Sequence, residues 1–550
     1  MTDRILVLGG YGVFGGKLCA YLACSGLCEV LVAGRSLAAA QAFCAAHGGT
    51  PTGLDRMSPS LAAEVAALAP RIVVDAAGPF QAYGTTPYAL ARAAIACGAH
   101  YIDLSDDAAF TAGITALDSE ARAAGVTVIS GASSVPGLSA AAVQHLATGL
   151  SRIERIESTI LPGNRAPRGR SVMRAILAQV GHPLPRTRAG RTAPVIGWSG
   201  LKRVRLSLPG LPPITRRASY IGAPDLRLFP VRFGARTVLF RAGLELAVLH
   251  HGLWLLSLLV RVRLLRSLEP LAPLLQLVAQ GFAPFGSDRG GMLVEVLGQR
   301  QDGGVEMRRW VLIAGTGDGP HVPSLPARAL CRKALGGTLA PGARPCLGEV
   351  PLAEILATAE GLDIRTGTEA AEVTPVFRSA LGPVWDQLPS AIRDLHDCVD
   401  TRRWRGEAEV ENGPSPLARL LRRLIGFPKA GRALPVQVEI RREGAKEVWL
   451  RRFGDKAFHS VLSAHGPPGS GQVTERFGPL RFVIDLSLEA GALRYPVTRG
   501  WAFGLPLPRA VLPRSQSTEE MREGRFHFDV AVSMPLVGLI VRYRGWLRPD

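Results

Sequence analysis

The stretch that most constrains how this chain folds is Arg4–Gly16, RILVLGGYGVFGG. Ile5–Leu8 is an apolar run of the length of a buried strand, Gly10-x-Gly12-x-x-Gly15 follows at once, and Lys17–Leu22 opens a helix. Strand, glycine loop and helix in that order are what a dinucleotide pyrophosphate needs. Gly10 makes the tight turn, Gly12 lets the backbone approach the phosphates, and Gly15 lets helix pack on strand. Gly9, Val13 and Phe14 complete the loop, and the helix N-terminus offers N–H groups and a partial positive charge to the anion. With 62 glycines in 550 residues the motif alone is weak. Its context strengthens it, because a second strand, Glu29–Ala33, follows at roughly the expected 20-residue spacing. The alternative is a glycine-rich turn that holds no ligand.

The end of that second strand selects the cofactor. It reads Val32-Ala33-Gly34-Arg35-Ser36, with no carboxylate to grip a ribose 2′-hydroxyl and with an arginine able to pair with a 2′-phosphate. One charge-assisted contact contributes about 1.5–3 kcal/mol, so NADP is favoured over NAD. The competing role for Arg35 is a solvent-facing cap on the next helix.

From Arg4 to about Ile129, strands and helices alternate at the pace of a doubly wound parallel sheet. Asp55, after a short third strand, is placed either to hydrogen-bond the adenine amine or as a solvated strand end. Ala77, Gly78 and Pro79 follow the fourth strand at the carboxyl edge, where their backbone can border the nicotinamide. Tyr101, Asp103 and Ser105 follow the next strand on the same edge. Tyr101 and Asp103 are the candidates to pass the proton that accompanies hydride transfer; otherwise they form a hydrogen-bonded cluster that caps a helix.

Asp75-Ala-Ala-Gly-Pro-Phe80, Tyr83-Gly84 and Cys97-Gly-Ala-His-Tyr101-Ile-Asp103-Leu-Ser105 resemble the NADP-binding domain of the saccharopine dehydrogenase family. Further motifs, Gly286–Met292, Gly317–Pro320, Pro323–Ala327 and Pro341–Ala343, are similar to a branch of that family with uncharacterised or lipid-related oxidoreductases. The resemblance covers roughly residues 1–355. It implies a Rossmann domain followed by an α+β domain that closes over the nicotinamide. The substrate-clamping residues of the saccharopine enzymes have no counterpart on Ala132–Gly137, and a long apolar insertion is a second departure.

That insertion lies in a region, 151–365, expected to be an α+β substrate domain of shorter strands such as Ile153–Ile160 and Val195–Leu208. It spans 244–285. Its first piece, ending at Val260, is only about 15 residues long from Leu246 and carries His250 and His251, against the roughly 20 apolar residues needed to span a bilayer. Arg261, Arg263 and Arg266 follow, then Leu271–Phe285, expected to be broken at Pro273. Two apolar pieces around an arginine cluster suit a hairpin on an anionic membrane, a lid over an acyl substrate, or two core helices. Thr366–Thr374 reads as a linker. Residues 375–550 are similar to an uncharacterised domain often fused to such NADP-binding domains, through motifs such as Trp404–Gly406, Trp449–Phe453 and Tyr543–Leu547. In it, Leu417, Leu420, Leu421, Leu424 and Ile425 predict one apolar helical face inside a curved antiparallel sheet. The sheet's interior either holds a lipid or is simply core.

The expected fold is thus α/β: a Rossmann doubly wound parallel sheet (1–150), an α+β substrate domain, and a C-terminal antiparallel β-rich α+β domain. Charge is uneven, with 7 Lys+Arg against 10 Asp+Glu in the first 150 residues and 57 against 35 beyond. No zinc spacing, RNP-type motif or basic-aromatic helix accompanies that surplus, so nucleic acid is not an expected partner. The eight cysteines include no C-x-x-C, no metal site is expected, and the absence of a signal-like leader before Ile5 fits a cytoplasmic protein. The function expected is NADP-dependent hydride transfer to or from a C=N, C=O or C=C bond of a hydrophobic or acyl small molecule. Peripheral contact with the inner face of the membrane and a homodimer stay open. The alternatives are a membrane-surface NADP-binding protein without turnover and an amino-acid dehydrogenase of the saccharopine type.

Overall fold

The computed structural model describes residues 2–167 and 169–550. Two compact units meet between Ala371 and Glu372, and each is described by itself.

The first unit is built on two seven-stranded sheets. In the nucleotide-binding sheet, β1 (Arg4–Leu8), β2 (Glu29–Gly34), β3 (Thr50–Gly53), β4 (Ile72–Asp75), β5 (His100–Asp103) and β6 (Thr127–Ser130) are all parallel and run in the order β6-β5-β4-β1-β2-β3. The inner strands β1, β2 and β4 are apolar on both faces because both are covered. One face packs Val7, Val74 and Ile102 under α1 (Val13–Ser25), the other packs Leu6, Val73 and Tyr101 under the helices Leu61–Leu68 and Ala89–Ala96. The seventh strand is Gly342–Pro345, paired in parallel with β6. The sheet is therefore completed by residues some 200 positions beyond β6, after the other sheet has been made.

That other sheet is mixed. Leu150–Leu161 lies at its centre, antiparallel to Gly290–Arg300 and parallel to Thr237–Ala242. The expected strand Val195–Leu208 is interrupted; only Val195–Ile196 and Lys202–Leu206 are strand, with Gly197 and Gly200 between them. One face of the sheet is packed with Ile156, Phe240, Val294 and Val296. The apolar insertion supplies the helices Ala247–Arg261 and Ala272–Gly281. Pro273 does not break the second: it sits in the first turn, where a missing N–H removes no helical hydrogen bond. Among the described residues no helix is long and apolar enough to cross a membrane. The expected linker Thr366–Thr374 is mostly the strand Ile364–Glu372, the edge of the mixed sheet.

The second unit is a 13-stranded antiparallel sheet with its own core. The helices that bury apolar faces there are Val376–Leu381 and Ser390–His396, through Phe377, Ala380, Ile392 and Leu395. The helix Pro416–Ile425, expected to fill that role, packs only through Ala418, Leu421 and Ile425, while Leu417, Leu420 and Leu424 are exposed.

Candidate functional site

The glycine loop leaves β1 with no room for side chains. Gly9 has φ +79°, and a Cβ there would lie 2.7 Å from the Ala76 backbone; one on Gly15 would lie 2.3 Å from the Gly9 carbonyl. Gly12 is the N-cap of α1 in extended conformation, with no side-chain cap and no acidic residue in the first turn. The first-turn N–H groups, from Val13 to Gly15, are thus left for an anion. This bare cradle fits a dinucleotide pyrophosphate. Arg35 and Ser36 follow β2; Arg35 is exposed, and Ser36 caps the helix Leu37–His47 by accepting from Ala39 N–H at 3.2 Å. Tyr11, not singled out from sequence, lies across Gly34, where a Cβ would meet its hydroxyl at 2.4 Å, and its oxygen accepts from Ser36 N–H at 3.1 Å. The loop and the end of β2 are therefore one surface. Asp55 is exposed after β3, its Oδ1 accepting from Met57 N–H at 3.0 Å. Ala77, Gly78 and Pro79 leave β4 beside the loop, and Ala77 N–H donates to Asp75 Oδ1 at 3.1 Å.

Tyr101 and Asp103 share one face of β5, but both are buried, and neither is among the described residues that line the two large cavities. They belong to a sealed polar cluster. Asp75 Oδ1 accepts from the Tyr83 hydroxyl at 2.9 Å, and Tyr101 reaches Oδ2 at 3.4 Å. Asp103 Oδ1 accepts from Ser105 N–H (3.0 Å), Ser130 Oγ (2.9 Å) and Gly131 N–H (2.8 Å). Burial pushes the Asp103 carboxyl up to about 7 in spite of those donors, and raises Asp75 and the Tyr101 phenol as well. This cluster ties together the carboxyl ends of β4, β5 and β6.

A cavity of about 1050 Å³ opens against the same edge. Phe14 from the glycine loop, Gln81 after β4, Asp106 after β5, and Ser133 and Ser134 after β6 line it at the nucleotide-binding sheet. The rest of its wall is apolar: Ile160, Phe240 and Met292 from the mixed sheet, Met173 and Leu177 from the helix Arg170–Gln179, and one face of each insertion helix, such as Leu256, Leu259 and Phe282. Among the described side chains the only charged ones on the wall are Asp106 and Asp288; no lysine or arginine is present. Asp106 lines the cavity with its side chain exposed to it; the surrounding protein raises its carboxyl above the usual range, neighbouring Asp107 adding to the effect and a hydrogen bond with Gln81 opposing it. The sequence carries a signal for Asp106. Of the pair Asp106-Asp107, Asp107 is committed as N-cap, accepting from Phe110 N–H at 2.7 Å, which leaves Asp106 free for another use.

His250, inside the first insertion helix, is structural. Its Nδ1 accepts from Leu244 N–H at 3.3 Å, so Nε2 carries the proton toward Ser219 Oγ at 2.9 Å, and burial lowers its pKa to about 4.

The family comparison agrees with the nucleotide-binding geometry. Residues 5–129 match the family model of the saccharopine dehydrogenase NADP binding domain, and residues 388–547 match a domain of unknown function (DUF4166). The chain carries an NADP-binding domain over residues 5–129. Its nucleotide-binding domain belongs to the saccharopine dehydrogenase type. Similar solved structures include apo saccharopine dehydrogenase (L-Glu forming) from Saccharomyces cerevisiae, at 15% identity and TM-score 0.49, covering 67% of this chain and 100% of that one. Biliverdin reductase from Synechocystis, solved with biliverdin and NADP+, matches at 12% identity and TM-score 0.30, covering 65% and 96%. Myo-inositol dehydrogenase from Corynebacterium glutamicum matches at 11% identity and TM-score 0.30, covering 66% and 99%. No curated protein matches the chain.

Proposed function

We propose that the chain transfers a hydride to or from a C=N, C=O or C=C bond of a substrate with a long apolar part, which lies in the 1050 Å³ cavity with its reacting end toward Phe14 and Asp106. The observation that carries this reading is the wall itself: large, apolar, and in contact with the nucleotide edge. Pockets of roughly 300–1,000 Å³ with a few convergent polar groups are typical ligand sites, and in this one Gln81, Asp106, Ser133 and Ser134 come together from the nucleotide-binding sheet. A saccharopine-type adduct carries several carboxylates and needs cations; the described wall offers none.

When bound, NADPH supplies the hydride. The backbone of Gly9, Gly10, Gly12, Val13, Phe14 and Gly15 would hold its pyrophosphate, Arg35 and Ser36 its 2′-phosphate, Asp55 its adenine, and Ala77, Gly78 and Pro79 the nicotinamide side. Asp106, the carboxyl that lines the cavity at the nucleotide edge, would pass the accompanying proton to the substrate atom nearest it. Tyr101 and Asp103 are positioning residues that fix the ends of β4 to β6 around it. The insertion also exposes Val262, Leu264, Leu274, Leu277 and Phe285, with Arg261, Arg263 and Arg266 in the same segment. Such a surface rests on an anionic bilayer, from which an apolar substrate is taken up.

The test is NADPH oxidation with enoyl, keto and imine substrates of increasing chain length. Turnover that rises with chain length supports the reading. Tight NADPH binding with no oxidation across the panel would favour a non-catalytic binder, and equal turnover of short amino-acid substrates would favour saccharopine-type chemistry.

A further inference from the structure

The second unit contains a cavity of its own, about 390 Å³, inside the curl of its 13-stranded sheet. Protein interiors are close-packed, with few voids larger than one water, so a space of this size in the middle of a core calls for an occupant. Strand alternation makes most of the wall apolar, with Phe427, Leu462, Phe477, Phe482, Phe526 and Val530 facing in.

The same alternation also turns charged residues inward. Arg451 stands between the inward Trp449 and Phe453, and Glu475 between Val473 and Phe477. Arg451 pairs with Glu475 at 3.4 Å and donates to Ser460 Oγ at 2.7 Å. On another strand, Glu519 accepts from His396 Nε2 at 2.6 Å and from the Tyr495 hydroxyl. A sheet that only needed a core would place none of these groups there, because charge is costly to bury. Nor are they wholly enclosed: the side chains of Arg451 and Glu475 keep 15% of their surface and Glu519 keeps 13%. All three line the cavity. The cluster holds one guanidinium, already paired, against two carboxylates.

We propose that this cavity is a binding site for a single-chain amphiphile with an uncharged, hydroxyl-bearing head. The alkyl chain fills the apolar part, and the head hydroxyls donate to the Glu475 and Glu519 carboxylates. A carboxylate head would meet two like charges, with Arg451 already committed to Glu475 and His396 to Glu519. The short helix Pro416–Ile425 carries apolar surface from outside to the cavity, with Leu421 and Ile425 on the wall and Leu417, Leu420 and Leu424 exposed. The proposal concerns a different unit from the nucleotide site and does not rest on the oxidoreductase reading.

The experiment is equilibrium binding of radiolabelled 1-monolauroylglycerol to the delipidated full-length protein, with laurate as competitor. Leu462→Trp and Ser517→Trp, which fill the cavity, are each expected to remove one saturable equivalent per chain while NADPH binding is kept. Gly252→Phe, in the other cavity, is expected to leave that equivalent in place. Glu475→Gln and Glu519→Gln are expected to weaken it about ten-fold, the size of one lost charge-assisted contact. Unchanged stoichiometry in both tryptophan variants, or no equivalent that they affect, would overturn the site. Laurate competing as well as the glyceride would overturn the uncharged head.

Discussion

Single residues decide cofactor and proton. Arg35 is exposed just after β2, next to Ser36, which caps the following helix and whose N–H donates to the Tyr11 oxygen. Arg35→Glu is expected to shift preference from NADPH toward NADH by at least about ten-fold in kcat/KM, the loss of one charge-assisted contact; an unchanged ratio would remove the argument for its role. Asp106→Asn is expected to lower kcat by about 10²–10⁴-fold, the usual range for a positioned acid, with NADPH binding intact. Asp225 provides a pH test. It is fully buried, Ser139 Oγ and Ser158 Oγ each donate to it at 3.1 Å, and burial raises it to about 7. Unfolded, it titrates near 4, so between those values the folded chain holds the extra proton. Its contribution to stability is therefore fullest below about pH 4 and is lost as pH rises through 7. Asp225→Asn is expected to stabilise the first unit at pH 8 by on the order of 2 kcal/mol and to have little effect at pH 4, read from urea midpoints. Residues of this kind were only half legible in the sequence. Gly9–Gly15 announce themselves because their spacing is local. Asp106 shows locally only as the spare member of the Asp106-Asp107 pair; what distinguishes it, a cavity wall made largely from residues 160–323, is not local.

Elements follow the same rule. β1, the glycine loop and α1 are legible because one short segment contains the whole reason for its conformation. The strand Gly342–Pro345 is not, since its reason is the open edge of β6. The helix Pro416–Ile425 has the sequence pattern of a core helix, yet leaves three leucines outside; amphipathicity says that a helix has an apolar face, not what meets it. The insertion helix Ala247–Arg261 offers a sharper test. Gly252 lies on the cavity wall, and a Cβ there would have nothing within 4 Å. Gly252→Ala is expected to stabilise by about 0.5–1 kcal/mol through helix propensity, with activity retained. Gly252→Phe projects a ring into the same space and is expected to lower kcat/KM for long-chain substrates at least about ten-fold while sparing shorter ones. In terms of CH₂ groups excluded, that corresponds to about two at ~0.8 kcal/mol each. Equal loss at every chain length would mean that the acyl part lies elsewhere.

At the scale of the whole molecule, the two units have separate cores, one around the nucleotide edge and one inside the 13-stranded sheet. A ligand stabilises only the cooperative unit that binds it, by RT ln(1 + [L]/Kd), or about 2.7 kcal/mol at a hundred-fold excess over Kd. Calorimetry of the intact chain is therefore expected to show two transitions. NADPH should raise one of them by on the order of 3–5 °C and leave the other in place. Gly15→Ala, whose Cβ would collide with the Gly9 carbonyl, should abolish that shift alone. The transition that ignores NADPH is the one that 1-monolauroylglycerol should raise, and Leu462→Trp should raise it without ligand by filling the void from the protein side. A single transition moved by both ligands would mean that the units fold as one, and the cavities would then have to be understood as coupled rather than separate.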